Sequence, residues 1–231
     1  MKALCLRAAI LLVALTVSAQ SGVELTAEPS HHLVLENQYV RVFQVEVAAR
    51  RATLLHRHRH DYIFVTLGPS EVSNEVEGKP PVTLKLHDGE TRFTSGNFAH
   101  VARNLANTSF RNVTIELLQD DKMRNAPAPK WPESRGLQVL HGGTQEVLFV
   151  KDGARVSEVE LQVAGVLPKH RHAGPHLVIA LTDLEFRNDV VGKPTANVEL
   201  KAGDIKWVDG GFTHTITNVG REGANFVTVE F

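Results

Sequence analysis

Residues 32–117 align with residues 146–231 at a constant offset of 114, without a gap, and 23 of the 86 paired positions are identical. The identities fall where backbone and chemistry are most constrained. Arg41-Val42 matches Arg155-Val156, Gly78-Lys79-Pro80 matches Gly192-Lys193-Pro194, and His56-Arg57-His58 matches His170-Arg171-His172. Gly89, Phe98, His100 and Asn104 pair with Gly203, Phe212, His214 and Asn218, and Val113-Thr114 and Glu116 pair with Val227-Thr228 and Glu230. One structural unit is therefore built twice, and any fold for this chain must satisfy both copies.

Each copy reads with period 2. Val40, Val42, Phe43, Val45 and Val47 open the first, Ile63 to Leu67 is a short β-rich run, Val82, Leu84 and Leu86 alternate, and Val113, Ile115 and Leu117 close it. No window of helical length carries a 3.6-residue apolar stripe. Short strands separated by Gly, Asn, Asp and Pro predict an all-β protein with one small jelly-roll barrel per copy. Between the copies, Gln119 to Gly143 carries Pro127, Pro129 and Pro132 and ends on Gly142-Gly143, the composition of a linker. Trp131 and Leu137 are expected to pin part of it against a barrel.

The start of the chain reads differently. Lys2 and Arg7 precede the apolar run Ala8–Val17, and Val17-Ser18-Ala19 offers small residues for cleavage, the layout of a signal peptide cut near Ala19. A run of ten residues is half of the roughly 20 a spanning helix needs, so a stable membrane anchor is not expected. Secretion or export to a periplasm is the expected destination. The one cysteine, Cys5, lies in this segment, so cleavage removes disulfides, thiolate ligands and a cysteine nucleophile together. Cleavage also removes Lys2 and Arg7, leaving 23 of the 25 basic residues against 26 acidic ones, a formal charge of -3. Nothing in that balance favours nucleic acid as a partner.

Twelve histidines are the unusual feature of the composition. In the second copy His170 and His172 are two apart and His176 follows four later; on a regular strand, even spacing turns all three to one face. His214 follows Gly210-Gly211-Phe212-Thr213, a glycine-bearing turn that delivers a later strand. If the two strands are neighbours, four imidazoles converge, the donor type that suits Mn, Fe, Ni, Cu or Zn. In the first copy His56, His58 and His100 hold the corresponding positions, Tyr62 stands where His176 does, and Asn97 replaces Gly211. His60 shares the parity of His56 and His58 and, with Asp61, is a further polar candidate. Three histidines and water suffice for a metal, whereas the alternative is a degenerate copy whose histidines only fill the barrel. Arg57 and Arg171 have the opposite parity and should point away. His31, His32, His87 and His141 are read as surface residues, Phe93 and Trp207 as packing residues, and Asn104 and Asn218 as turn ties.

The arrangement Pro168-Lys-His170-Arg-His172-x3-His176, followed by Gly203-x5-Asp209-x-Gly211-x2-His214-x3-Asn218, resembles the two consensus motifs of the cupin superfamily. That resemblance implies two tandem cupin barrels in a bicupin: a signal peptide over 1–19, an N-terminal extension over 20–31, a first barrel over 32–118, a linker over 119–145 and a second barrel over 146–231. It implies a divalent metal ion on His170, His172 and His214, with His176 in the place of the family's glutamate and Asp209 in that of a proline. A homodimer paired through sheet edges is a further implication of the resemblance.

A metal held by neutral imidazoles keeps its full positive charge and leaves coordination positions open for a small oxygenated molecule and O2. The expected function is a metal-dependent, dioxygenase-like enzyme with no assignable general base. The alternative is a non-catalytic protein that captures a sugar or metabolite, its metal structural or absent; sugar isomerisation is a third course. Fold resemblance does not choose among them.

Overall fold

The computed structural model describes residues 22–118, 136–151 and 153–231, so the expected signal peptide and residues 119–135 of the expected linker, Trp131 included, lie outside the described residues. Ten strands build the first copy: β1 (Val23–Glu24), β2 (His31–Glu36), β3 (Val40–Val47), β4 (His56–His58), β5 (Tyr62–Thr66), β6 (Ser70–Val76), β7 (Val82–Leu86), β8 (Thr91–Thr94), β9 (Phe98–Asn104) and β10 (Phe110–Leu117). Eight build the second: β11 (Gly136–Lys151), β12 (Ala154–His172), β13 (His176–Ala180), β14 (Leu184–Val190), β15 (Ala196–Leu200), β16 (Ile205–Val208), β17 (Phe212–Asn218) and β18 (Ala224–Glu230). Among the described residues no helix is long and apolar enough to cross a membrane.

The first barrel is two five-stranded sheets, ordered β1-β4-β9-β6-β7 and β2-β3-β10-β5-β8. In the second barrel β12 does the work of β3 and β4 together. Its first half, Arg155–Leu161, pairs with β18, and its second half, Val166–His172, pairs with β17, so one bent strand joins the two sheets. The bend passes through Ala164 at φ 62°, and its counterpart Arg50 sits at φ 58° between β3 and β4. Both copies thus place a non-glycine residue in the left-handed region to turn this corner.

Alternation along the strands separates three cores. Phe43, Val45 and Val47 face the interior of the first barrel with Leu25, Val72 and Phe110. Val159, Leu161, Phe186, Ile216 and Phe226 fill the second. The intervening residues face outward, yet they are buried too: Val40, Val42, Ile63, Val65, Val113 and Ile115 join Ala154, Val156, Leu177, Ile179, Val227 and Val229 in one cluster. These two sets are the same six positions of the repeat, so each barrel presents its equivalent sheet to the other. Burial on both faces explains why β5 (Tyr-Ile-Phe-Val-Thr) reads as a nearly continuous apolar run. Phe93 and Trp207 pack partly buried against this shared cluster, as expected of packing residues.

Three readings are corrected. His31 is not a surface residue; it is 8% exposed on β2, while His32, His87 and His141 are exposed. Residues before His32 are not a mere extension, because Leu25 is buried in the first core and β1 pairs with β4. Leu137 pins nothing: it is 64% exposed, on a strand that begins at Gly136.

Candidate metal centre

In the second barrel, antiparallel pairing sets His170 directly across from His214, and His172 across from Phe212. The turn into β17 is made by Gly211 at φ 87°, whose amide donates to the His172 carbonyl at 2.8 Å. In the first barrel Asn97 makes the same turn at φ 63° with the same bond to His58. Asparagine tolerates this left-handed conformation, so the replacement of Gly211 by Asn97 preserves the delivery of His100 beside His56.

The side chains then close on one point. The Nε2 atoms of His170, His172 and His214 lie 3.0, 3.0 and 3.1 Å apart. Each ring's other nitrogen is committed: Nδ1–H of His170 donates to the Pro168 carbonyl (2.7 Å), that of His172 to Glu230 Oε1 (3.0 Å), and that of His214 to Asn188 Oδ1 (2.8 Å). All three acceptors are oxygens, so the proton of each neutral imidazole is fixed on Nδ1 and Nε2 presents a bare lone pair. Three lone pairs at this spacing repel one another unless a cation lies between them. Two nitrogens bound cis to a metal at about 2.1 Å are about 3.0 Å apart, the separation found here. The residues therefore fit a divalent ion.

His176 stands differently from the expected fourth ligand. Ala173–Pro175 interrupt the strand, and β13 pairs with β16 and β18 rather than β17, so His176 faces Glu230 across the ladder. Its ring stacks on His172, centroids 3.9 Å apart and 17° from parallel, and its buried Nδ1 has no hydrogen-bond partner. Burial, and then the neighbouring His172, lowers its pKa to about 4. Burial likewise takes His214 to about 3, with the adjoining histidines adding to the shift, and also lowers His170. Neutral imidazole is the ligating form.

Two residues of the site escaped sequence reasoning. Glu230 accepts from both His172 and Arg155, which lies 2.7 Å away; burial works to raise its pKa, but those hydrogen bonds hold it below the ordinary value. Asn188 orients His214, and its repeat partner Asn74 does the same for His100 at 2.6 Å. Both pairs, Glu116/Glu230 and Asn74/Asn188, are identical across the repeat, which was the available signal.

The three imidazoles open on a chamber of about 400 Å³ lined by Val178, Phe186, Leu200 and Ile216, with Arg155, Arg171 and Lys206 as its cations. Arg171 is exposed between half-buried His170 and buried His172 and borders this chamber, and Arg57 lies 3.9 Å from Glu77.

The first barrel repeats the frame with changes. His56 lies across from His100, and His58 Nε2 is 3.2 Å from His100 Nε2. Tyr62 stacks on His58 as His176 stacks on His172, at 4.2 Å and 19°. Burial raises the Tyr62 hydroxyl to about 12, so it stays protonated and neutral. Among the described residues Glu116 bonds Arg41 alone where Glu230 bonds Arg155 and His172, and burial raises its pKa. His60, outside β4, does not line this barrel's chamber of about 290 Å³.

The sequence matches no protein-family model and no curated protein. The architecture does match solved structures. Oxalate decarboxylase from Bacillus subtilis at pH 4.6 superposes with a TM-score of 0.61 at 11% identity, over 84% of this chain and 68% of that one. The fold is that of the cupins. A further oxalate decarboxylase structure, on its substrate binding mode and reaction specificity, gives 0.61 at 12% identity, covering 88% and 76%. Another, concerned with the Mn(II) centres of the Bacillus subtilis enzyme, gives 0.59 at 10% identity over the same shares. In this frame the three imidazoles, each oriented by an oxygen partner, form a group that could hold a metal ion.

Proposed function

We propose that this protein is an exported, metal-dependent bicupin enzyme acting on a small oxygen-rich molecule with dioxygenase-like chemistry in the second barrel. The observation that carries the reading is the triad of Nε2 atoms within 3.1 Å, each with its proton held on the far side of the ring. Three protein donors leave positions free, as reactive rather than structural sites do. A bound divalent ion would supply Lewis acidity and a place for substrate and O2 to meet.

The chain's own residues do the rest. Pro168, Glu230 and Asn188 fix the ring orientations and keep each Nε2 unprotonated. Val178, Phe186, Leu200 and Ile216 limit water in the chamber, and Arg171 and Lys206 supply positive charge for an anionic, oxygen-rich substrate. His176, buried and neutral with a free Nδ1, lies on the same chamber wall. Likeness to oxalate decarboxylase, a protein whose manganese centres are documented, supports both the metal and a small carboxylate as substrate class.

The test is metal content and O2 uptake of protein purified without chelator, compared with His170→Ala/His172→Ala. The expected result is the loss of one equivalent of metal per chain in the variant, and O2 consumption with small hydroxy or dicarboxylic acids only in the wild type. Equal metal content in both proteins, after reconstitution with Mn, Fe, Ni, Cu and Zn, overturns the metal centre. Metal lost by the variant but no turnover in the wild type leaves a small-molecule binding protein in place of an enzyme.

A further inference from the structure

The histidine misjudged as a surface residue has a role that the repeat does not predict. His31 lies on β2 opposite Val45, and the matching position of the second barrel is Gln145, opposite Val159. Its Nδ1–H donates to Glu28 Oε2 at 2.6 Å, which leaves its Nε2 as an acceptor. Glu28 is itself buried and held by the amides of Ser30 (2.8 Å) and Leu54 (3.1 Å), so the carboxylate is a fixed support for the ring. The second copy has Gly142 where the first has Glu28, so this carboxylate–histidine pair belongs to the first barrel alone.

The ring faces the motif histidines. Its centroid is 4.8 Å from that of His56 and 6.3 Å from that of His58, and His56 is 4.5 Å from His100. One ligating nitrogen from each of His31, His56 and His58 can be chosen so that all three lie within 4.8 Å of one another. His56 and His58 are 0% and 2% exposed, and His56 Nε2 and His58 Nδ1 are buried with no hydrogen-bond partner. Buried polar nitrogens are seldom left without a partner. His56 Nδ1–H already donates to the Leu54 carbonyl, so its Nε2 carries the free lone pair. Tyr62, neutral and stacked on His58, does not serve as an anionic ligand.

We infer that the first barrel holds a second divalent metal ion at a buried site completed by His31, which enters from the N-terminal segment and has no histidine as its counterpart in the second barrel. Nitrogens about 2.1 Å from a common ion are between about 3.0 Å (cis) and 4.2 Å (trans) apart, so a shift of a few tenths of an ångström closes the set. His31, His56 and His58 all line the first barrel's chamber of about 290 Å³, so the ion would sit in its wall.

The experiment uses the full chain carrying His170→Ala/His172→Ala, titrated with Co(II) and with Zn(II) after chelator treatment, and read by metal stoichiometry and by the visible Co(II) absorption of nitrogen ligation. One ion per chain is expected. Adding His31→Gln, the residue of the second copy, is expected to weaken binding at least tenfold, and Glu28→Gln about tenfold. His32→Gln, on the exposed neighbour, leaves binding unchanged. In the otherwise wild-type chain His31→Gln lowers the metal content from two to one, which reads the site without the double variant. Binding within threefold of the parent in His31→Gln overturns the inference. So does a double-alanine chain that folds, by circular dichroism, yet binds no ion while the wild type binds one; the proposed function then stands. The converse, one ion in both wild type and double variant and its loss in His31→Gln, supports this site and removes the one in the second barrel.

Discussion

At the scale of single residues, the centre depends on groups that never touch a metal. Asn188 holds the proton of His214 on Nδ1, and without that acceptor the ring is free to rotate and to exchange tautomers. Asn188→Ala should therefore lower metal affinity of the second barrel by 10- to 100-fold while the far-ultraviolet spectrum stays unchanged. Titration calorimetry of the chelator-treated protein reads this, and a change under threefold would count against it. The clustered histidines were legible in the sequence because spacing by two survives in any strand: His56 and His58 are buried with Arg57 half-buried between them. His176 was legible as an inward residue but not as a stacked one, because Ala173–Pro175 move it to a different pair of neighbouring strands. His31 was not legible at all. It lies just ahead of the aligned repeat and has no histidine as its counterpart, and only the β2–β3 register turns it inward.

At the scale of elements, the two copies share devices that tie strand to turn. Asn218 Nδ2 donates to the carbonyls of Leu161, Gln162 and Glu222 at 3.2, 3.1 and 2.8 Å, and its Oδ1 accepts the Gly220 amide. Asn104 does the same with Val47, Ala48, Thr108 and Ala106. A buried amide joining the middle of β12 to the end of β17 and the turn before β18 is worth about 1 kcal/mol per bond, and the carbonyls left behind add to the cost. Asn218→Ala should therefore destabilise the protein by about 3 kcal/mol or more in urea unfolding; a loss below 1 kcal/mol would show the turn is held by other means. The corner of β12 gives the opposite sign. Ala164 is left-handed at φ 62°, a conformation glycine adopts without the Cβ clash, so Ala164→Gly should stabilise by up to about 1 kcal/mol. The turn asparagines were readable from their identity in both copies, whereas the corner was not, since Arg50 and Ala164 carry no turn signal.

At the scale of the whole molecule, both barrels are filled around imidazoles that stay neutral. Burial, with the neighbouring histidines, lowers His56 to about 4, His58 to about 2, His100 to about 3 and His214 to about 3. In the unfolded chain these groups take up protons near pH 6.5, so below that pH the unfolded state binds more protons and the folded state loses ground. The stability they permit is complete above about pH 6.5 and is lost as pH falls toward 4, at about 1.4 kcal/mol per pH unit for each imidazole that resists protonation. Melting of the chelator-treated protein should be level between pH 8 and 7 and fall steeply below 6.5. A melting temperature unchanged down to pH 4.5 would mean the histidines are not held neutral by the fold. The all-β class and the doubling were open to sequence reasoning because period 2 and the 114-residue offset are written along the chain. The apolar face shared between the barrels had its sequence trace in β5 and β13, short runs apolar on both faces.

That shared face has a consequence for how the two centres came to differ. Equivalent positions meet across it, Val40 and Val42 on one side with Ala154 and Val156 on the other, as identical subunits would meet about a twofold axis. In a pair of separate, identical chains, every substitution at one centre appears at the other. Joined in tandem, the halves keep their mating surface while each barrel changes alone: Tyr62 against His176, His31 against Gln145, Glu28 against Gly142. Covalent linkage thus permits each barrel's histidine cluster to be altered without the same change being imposed on its twin.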